Sequence, residues 1–386
     1  MTLSHSLSAR RQTGFSLVEI LVGLVIGLLA TLVIMQVFSV FEGQKRTTTG
    51  TADAQTNGSI ALHTIINELP SAGFDLLPIG FSGTPDAVID CAPPIISAAA
   101  TAAGVTSMSP VVITDGGAGS DSITINFGSS DNGGIPITMG TFFAGNVNVN
   151  FNQGCQVGIA VTVPGTSGNA ACDVVTVTNV PPAVPAVAPG APPLVSDVIT
   201  LGNTAGLNMN GDLVCLGQWN QVTYSVTANN NNFYLVRGVI GATPPAPLII
   251  APTPVVSDIV NLQAQYGVAA ANLPVADPNF NQITQWVDAS GATWGPAMTT
   301  ANRNRIKAIR LAVIARNGLL EKTDVSTACS STNSAGPTGV CAWEGTAASP
   351  APTVDLSADA NWKQYRYRVF ETIVPLRTML WSRSTL

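Results

Sequence analysis

Between Arg46 and Arg237 the chain has no lysine and no arginine, while eleven aspartates and glutamates fall in the same interval. Charged residues make up only 10% of the sequence, and the formal net charge is -6. Nucleic acid needs cations laid against its phosphates, so this composition argues against nucleic acid as the principal partner. After Arg237 the balance reverses, with eleven basic and nine acidic residues. We read the acidic stretch as a solvated face; a subunit contact between the two halves is the sharper alternative. Histidine is scarcer still, with His5 and His63 alone. Any Ser-His-Asp or Cys-His arrangement beyond the first residues would have to be built on His63, and a histidine zinc site is excluded. No C-x-x-C, Gly-x-Ser-x-Gly, Walker loop or dinucleotide fingerprint occurs. Carboxylate pairs could still hydrolyse glycans. The acids are scattered, however, and we expect no enzyme and no cofactor. Asp115-Gly116-Gly117 and Asp131-Asn132-Gly133-Gly134 lack EF-hand spacing and read as turns, so no metal site is expected.

One long apolar run stands out against this background. From Gly14 to Phe41 the sequence reads GFSLVEILVGLVIGLLATLVIMQVFSVF, with Glu19 as its single charge. The uncharged part, Ile20 to Phe41, would make a helix of roughly 33 Å, enough to cross a hydrocarbon core of about 30 Å. A secretory h-region is about 7 to 15 residues and ends at a small-residue site, so a signal peptide does not fit. A glutamate inside a bilayer costs about 2.5 kcal/mol or more, which a plain anchor would not carry. Glu19 therefore wants a partner.

The order of basic residues, glycine, aromatic, glutamate and apolar run in Arg10-Arg11-Gln12-Thr13-Gly14-Phe15-Ser16-Leu17-Val18-Glu19 resembles the class III signal of type IV pilins. The resemblance implies a leader, residues 1–14, that a prepilin peptidase removes between Gly14 and Phe15, followed by N-methylation of Phe15. The new α-amine would pair with Glu19 of its own chain or a neighbour's, which accounts for a tolerated buried charge. It also implies a protein held in the inner membrane by one helix with a periplasmic head, and later packed helix against helix in a type IV pilus.

The six cysteines are even in number, and an oxidising periplasm suits three disulfides. Six cysteines allow 15 pairings. Cys155 with Cys172 and Cys329 with Cys341 would close short loops rich in glycine, serine, threonine and asparagine, leaving Cys91 with Cys215.

Along the chain we expect an α+β protein: a long N-terminal pilin-type helix over residues 15–70 and a large β-rich, disulfide-bonded globular head over 71–386. Leu62, Ile65, Ile66 and Leu69 recur at helical spacing before Pro70. Gly43, Thr47 to Gly50 and Gly58 are poor helix formers, so unwinding is expected in the middle. Asp121 to Phe127, Val174 to Val177, Gln221 to Val226 and Phe233 to Val239 alternate as strands. Pro181 to Pro193 and Pro244 to Pro254 read as stiff connectors, and a division near 180–194 would split the head into two lobes.

The segments Asn261 to Val268, Arg305 to Arg316 and Tyr365 to Trp381, with Ser71 to Phe74, resemble the PilW family of minor pilins; about Leu76 to Val255 is not covered. Arg303, Arg305 and Lys307 share a face before the apolar parity shifts at Leu311, which suggests a bulge or a newly covered sheet. Tyr365, Tyr367 and Val369 share one side of a half-buried strand. The PilW resemblance implies a minor pilin that primes or caps a pilus beside other minor and major pilins, the inner-membrane assembly platform and a tip adhesin. The alternatives are an adhesin binding a surface, glycan or DNA, and a J-type pseudopilin of type II secretion. A head of this size suits a rare subunit at the filament tip, where it needs neighbours on one side only.

Overall fold

Helical spacing of small and apolar residues builds the stem. A single helix runs Leu17–Glu68 and ends in a 3-10 turn, Leu69–Ser71, at which Pro70 stops the backbone ladder. The computed structural model describes residues 14, 16–76, 95–163, 172–181, 197–202, 211–274 and 276–381. The expected unwinding is not there. Thr47, Thr48 and Thr51 turn their hydroxyls back onto the carbonyls of Gly43, Gln44 and Thr47, at 3.1, 2.9 and 2.7 Å, so these polar side chains are satisfied without opening the helix.

The chain divides into two compact units, Met1–Ala52 and Asp53–Leu386. In the second, Ala54, Gly58, Ala61, Ile65 and Leu69 recur at helical spacing and are buried, with Leu62 and Ile66 packed beside them. This stripe is the head's central support. A five-stranded sheet is ordered β12-β11-β10-β3-β2, from β2 (Val111–Thr114), β3 (Ser122–Phe127), β10 (Trp219–Asn229), β11 (Asn232–Ala242) and β12 (Leu248–Ser257). A four-stranded antiparallel sheet is ordered β14-β13-β15-β16, from β13 (Ile259–Ala269), β14 (Ile283–Val287), β15 (Ile306–Arg316) and β16 (Tyr367–Pro375). Leu262, Ala264 and Tyr266 of β13, with Ile309, Leu311 and Val313 of β15, face the common core. The other side of β15, Ala312 and Ile314, is covered by Val340, Trp343, Ala351 and Val354 from the long connection to β16.

Between β3 and β10, which pair from Ile123↔Tyr224 to Phe127↔Asn220, the chain makes a body of its own. It comprises β4 (Pro136–Phe143), β5 (Asn146–Val149), β6 (Gly158–Val163), β7 (Asp173–Asn179), β8 (Asp197–Gly202) and β9 (Asp212–Gly217), with β1 (Ile95–Ile96) added in parallel on β7. The strand order β7-β6-β9-β4-β5-β8 closes on itself because β8 pairs again with β7. The result is a six-stranded antiparallel barrel. Its interior holds Ile137, Val147, Val149, Val175, Val177, Ile199, Leu201 and Leu213. Ile159, Val161, Val174 and Val214 point outward from the same wall into the main core. Closure leaves no free sheet edge along the ring.

Several expectations are corrected here. Cys155 bonds Cys215, not Cys172, which also removes the Cys91–Cys215 pairing. The cause is the barrel wall: Cys155 and Cys215 lie on its inner side, on or beside the paired strands β6 and β9, whereas Cys172 points to the main core. Cys172 is itself disulfide-bonded, and Cys91 lies outside the described residues. Cys329 and Cys341 form a second described disulfide. The proline-rich stretch to Pro254 is no connector in its second half, which forms β12. That strand is an edge, where prolines that cannot donate are tolerated. Arg303 and Arg305 belong to a short helix, Thr300–Arg305, rather than to the strand with Lys307. The parity shift has both suggested causes, a bulge opposite Val268 and the second cover over β15. Along β16 it is Phe370 and Val374 that pack on the main core, while Val369 is exposed. The proposed lobe division falls mostly in residues 182–196, outside the described residues.

Candidate functional site

The candidate site is the stem helix. Its first turn is set by the carbonyl of Ser16, which accepts from the N–H groups of Glu19 (2.9 Å) and Ile20 (3.2 Å). That places Glu19 in the first turn, where the unpaired amides of a helix N-terminus favour a carboxylate. Gly14 is exposed, and Phe15 lies outside the described residues. From Leu17 to Phe41 the large apolar side chains are all exposed. Among the described residues this is the one helix long and apolar enough to cross a membrane. Such a surface can be satisfied by lipid or by other helices, and by little else.

At the other end the helix is fixed to the head by contacts that sequence reasoning missed. Glu68 Oε1 accepts from Arg237 Nε (3.0 Å) and Nη2 (2.6 Å), and its Oε2 accepts from the Tyr224 hydroxyl at 2.9 Å. Arg237 is the first cation after the long uncharged-by-base interval, and this position was the available signal. Burial, then the bond to Glu68, raises the Tyr224 hydroxyl above the ordinary tyrosine range. A Cβ on Gly58 would overlap the ring of Phe370, so this glycine is a seat for an aromatic rather than a weak point in the helix.

Just past the helix, Asp75 adopts a left-handed conformation (φ 71°) and accepts from the Ser130 N–H at 2.8 Å, joining the stem to the entry of the barrel. Burial pushes its carboxyl up to about 7, with Asp131 adding to the shift. Asp121 accepts from Gly116 N–H and Ala264 N–H, both at 2.8 Å, and so clips the β2–β3 loop to the part of β13 that β14 does not reach. Burial pushes it, too, up to about 7. Among the described residues no group of three or more histidines, cysteines or carboxylates could hold a metal ion.

The family model described as Type IV Pilus-assembly protein W matches residues 222–378, and the prokaryotic N-terminal methylation motif matches residues 9–35. The two matches support a type IV pilus component that is similar to PilW over the C-terminal part of its head and to prepilins over its N-terminal helix. The PilW match runs from β10 through β16, so the barrel stands wholly outside it. Among solved structures, a type IV-like pilin from Thermus thermophilus is similar at 11% identity, covering 84% of this chain and 97% of that one, with a TM-score of 0.33. No curated protein matches the chain.

Proposed function

We propose that this protein is a minor pilin that primes or caps a type IV pilus. A prepilin peptidase cuts between Gly14 and Phe15, and Phe15 is methylated. The helix then waits in the inner membrane with the head in the periplasm, and passes into the filament, at or near its tip, beside other pilins. The observation that carries this reading is Glu19: one carboxylate in the first turn of an exposed apolar helix, inside the stretch that matches the methylation motif. It supplies the counter-charge that fixes register against an α-amine in low dielectric. The family's role is structural, and its partners are pilins and the assembly platform.

The test combines N-terminal sequencing with quantitative mass spectrometry of sheared filaments. The expected product begins at a methylated Phe15 and is far less abundant than the major subunit. An intact Met1, or abundance equal to that of the shaft subunit, would overturn the proposal.

A further inference from the structure

The part of the barrel that faces away from the main core has a composition unlike the rest of the surface. No charged residue occurs between Asp131 and Asp173. From Asn146 to Asn152 the sequence is N-V-N-V-N-F-N; Val147 and Val149 fill the barrel, so Asn146, Asn148 and Asn150 stand on its outside, about 6.6 Å apart at two residues per step. Each of these side chains is held at one end. Asn146 Oδ1 accepts from the Thr200 hydroxyl (2.8 Å), Asn148 Nδ2 donates to the Thr141 hydroxyl (2.6 Å), and Asn150 Oδ1 accepts from the Thr138 N–H (3.2 Å). The other end of each amide is left toward solvent. At the hairpin tip Phe143, opposite Asn146, is 82% exposed on a turn fixed by Ala144 (φ 52°) and Gly145 (φ 83°). Asp212, opposite Thr138, borders the patch.

We infer that this face binds an uncharged polysaccharide. The chemistry of the face selects among partners. Nucleic acid requires cations, of which the chain has none between Arg46 and Arg237. A protein interface is built around an apolar core enriched in aromatics, methionine and arginine, and here amides and hydroxyls occupy the centre. A bilayer would have to desolvate those amides. A neutral sugar offers hydroxyls that both donate and accept, and a C–H face that packs on an exposed ring such as Phe143. The amides are already oriented by their internal bonds, so binding orders few side chains. The inference is independent of the pilin reading, because the face lies outside both the helix and the PilW match.

The test is co-sedimentation of the full chain, in detergent, with insoluble cellulose, curdlan and mannan, and with carboxymethylated cellulose as an anionic control. At least one neutral polymer should carry the protein down equally at low and high salt. Asn146→Asp and Asn150→Asp together keep both internal acceptors but add charge to the face, and should weaken sedimentation about tenfold or more. Phe143→Ala, at an exposed tip where folding is not at stake, should weaken it as well. The inference is overturned if no neutral polymer sediments the protein, if both variants sediment like the parent, or if only the anionic polymer binds and salt abolishes it.

Discussion

Replacing Gly58 by alanine should destabilise the head, although the same change in an exposed helix interior is stabilising by about 1 kcal/mol. The reason is the Phe370 ring, which rests where the new methyl would go. Phe370 lies on β16, an edge strand, and packs against the main core without being fully buried, so the ring can shift only by giving up part of that packing. Overpacking of this kind costs roughly 1 to 3 kcal/mol. Subtracting the helix gain leaves a net loss of about 0 to 2 kcal/mol. A double-mutant cycle isolates the part that belongs to the ring. In a Phe370→Ala background the clash is gone, so Gly58→Ala should stabilise by about 1 kcal/mol there, and the coupling between the two sites should be about 1 to 3 kcal/mol. Urea denaturation of the full chain in detergent, followed by tryptophan fluorescence, measures all four corners. If Gly58→Ala stabilises the parent and the Phe370→Ala variant equally, the ring does not seat on the glycine.

Four further outcomes are expected. Replacing Cys155 and Cys215 by serine should cost about 4 kcal/mol in the chain-entropy model for a sequence separation of 60. Non-reducing peptide mapping should show these two joined, Cys329 joined to Cys341, and Cys172 joined to Cys91; a Cys155–Cys172 peptide would contradict the barrel. Asp75 and Asp121 have carboxyls raised above their unfolded value, so the stability they contribute is complete below about 4 and is lost as pH rises through about 7. The urea midpoint should therefore fall between pH 5 and pH 8, and less so in Asp121→Asn; equal pH dependence in parent and variant would remove Asp121 from the account. Glu19→Ala should insert in the membrane at least as well as the parent while failing to restore pili in a deletion strain, and normal piliation would end the pairing role.

Much of the stem and of the frame around it could be read from residues alone. The helix from the apolar run to Pro70, the strand at Asp121 to Phe127 and the hairpin around Asn229 to Asn232 follow from local periodicity, and local periodicity is what the structure uses there. The barrel could not be read in this way. Alternation of valine with asparagine is identical in an open and a closed sheet; closure depends on β8 returning to β7, a pairing that no short segment encodes. The expected pairing of Cys155 with Cys172 failed for the same reason, whereas that of Cys329 with Cys341, which closes a short local loop, is present. Loop length favours Cys155 with Cys172, but a wall with two faces separates them. Gly58 and the prolines of β12 were misread because their meaning depends on a neighbour, an aromatic ring in one case and an empty sheet edge in the other.

The insertion between β3 and β10 also sets an order of events for the folding chain. Phe127 and Asn220 are paired, yet residues 128–219 intervene. Closing a loop of that length costs roughly 3 kcal/mol more entropy than closing a tight hairpin. The barrel brings its own ends together, since the Ser129 N–H donates to Leu216 O at 2.9 Å. A chain that completes the barrel first therefore meets β3 and β10 as near neighbours. A chain that does not must search for that pairing across the whole insertion, with β3 an unprotected edge in the meantime.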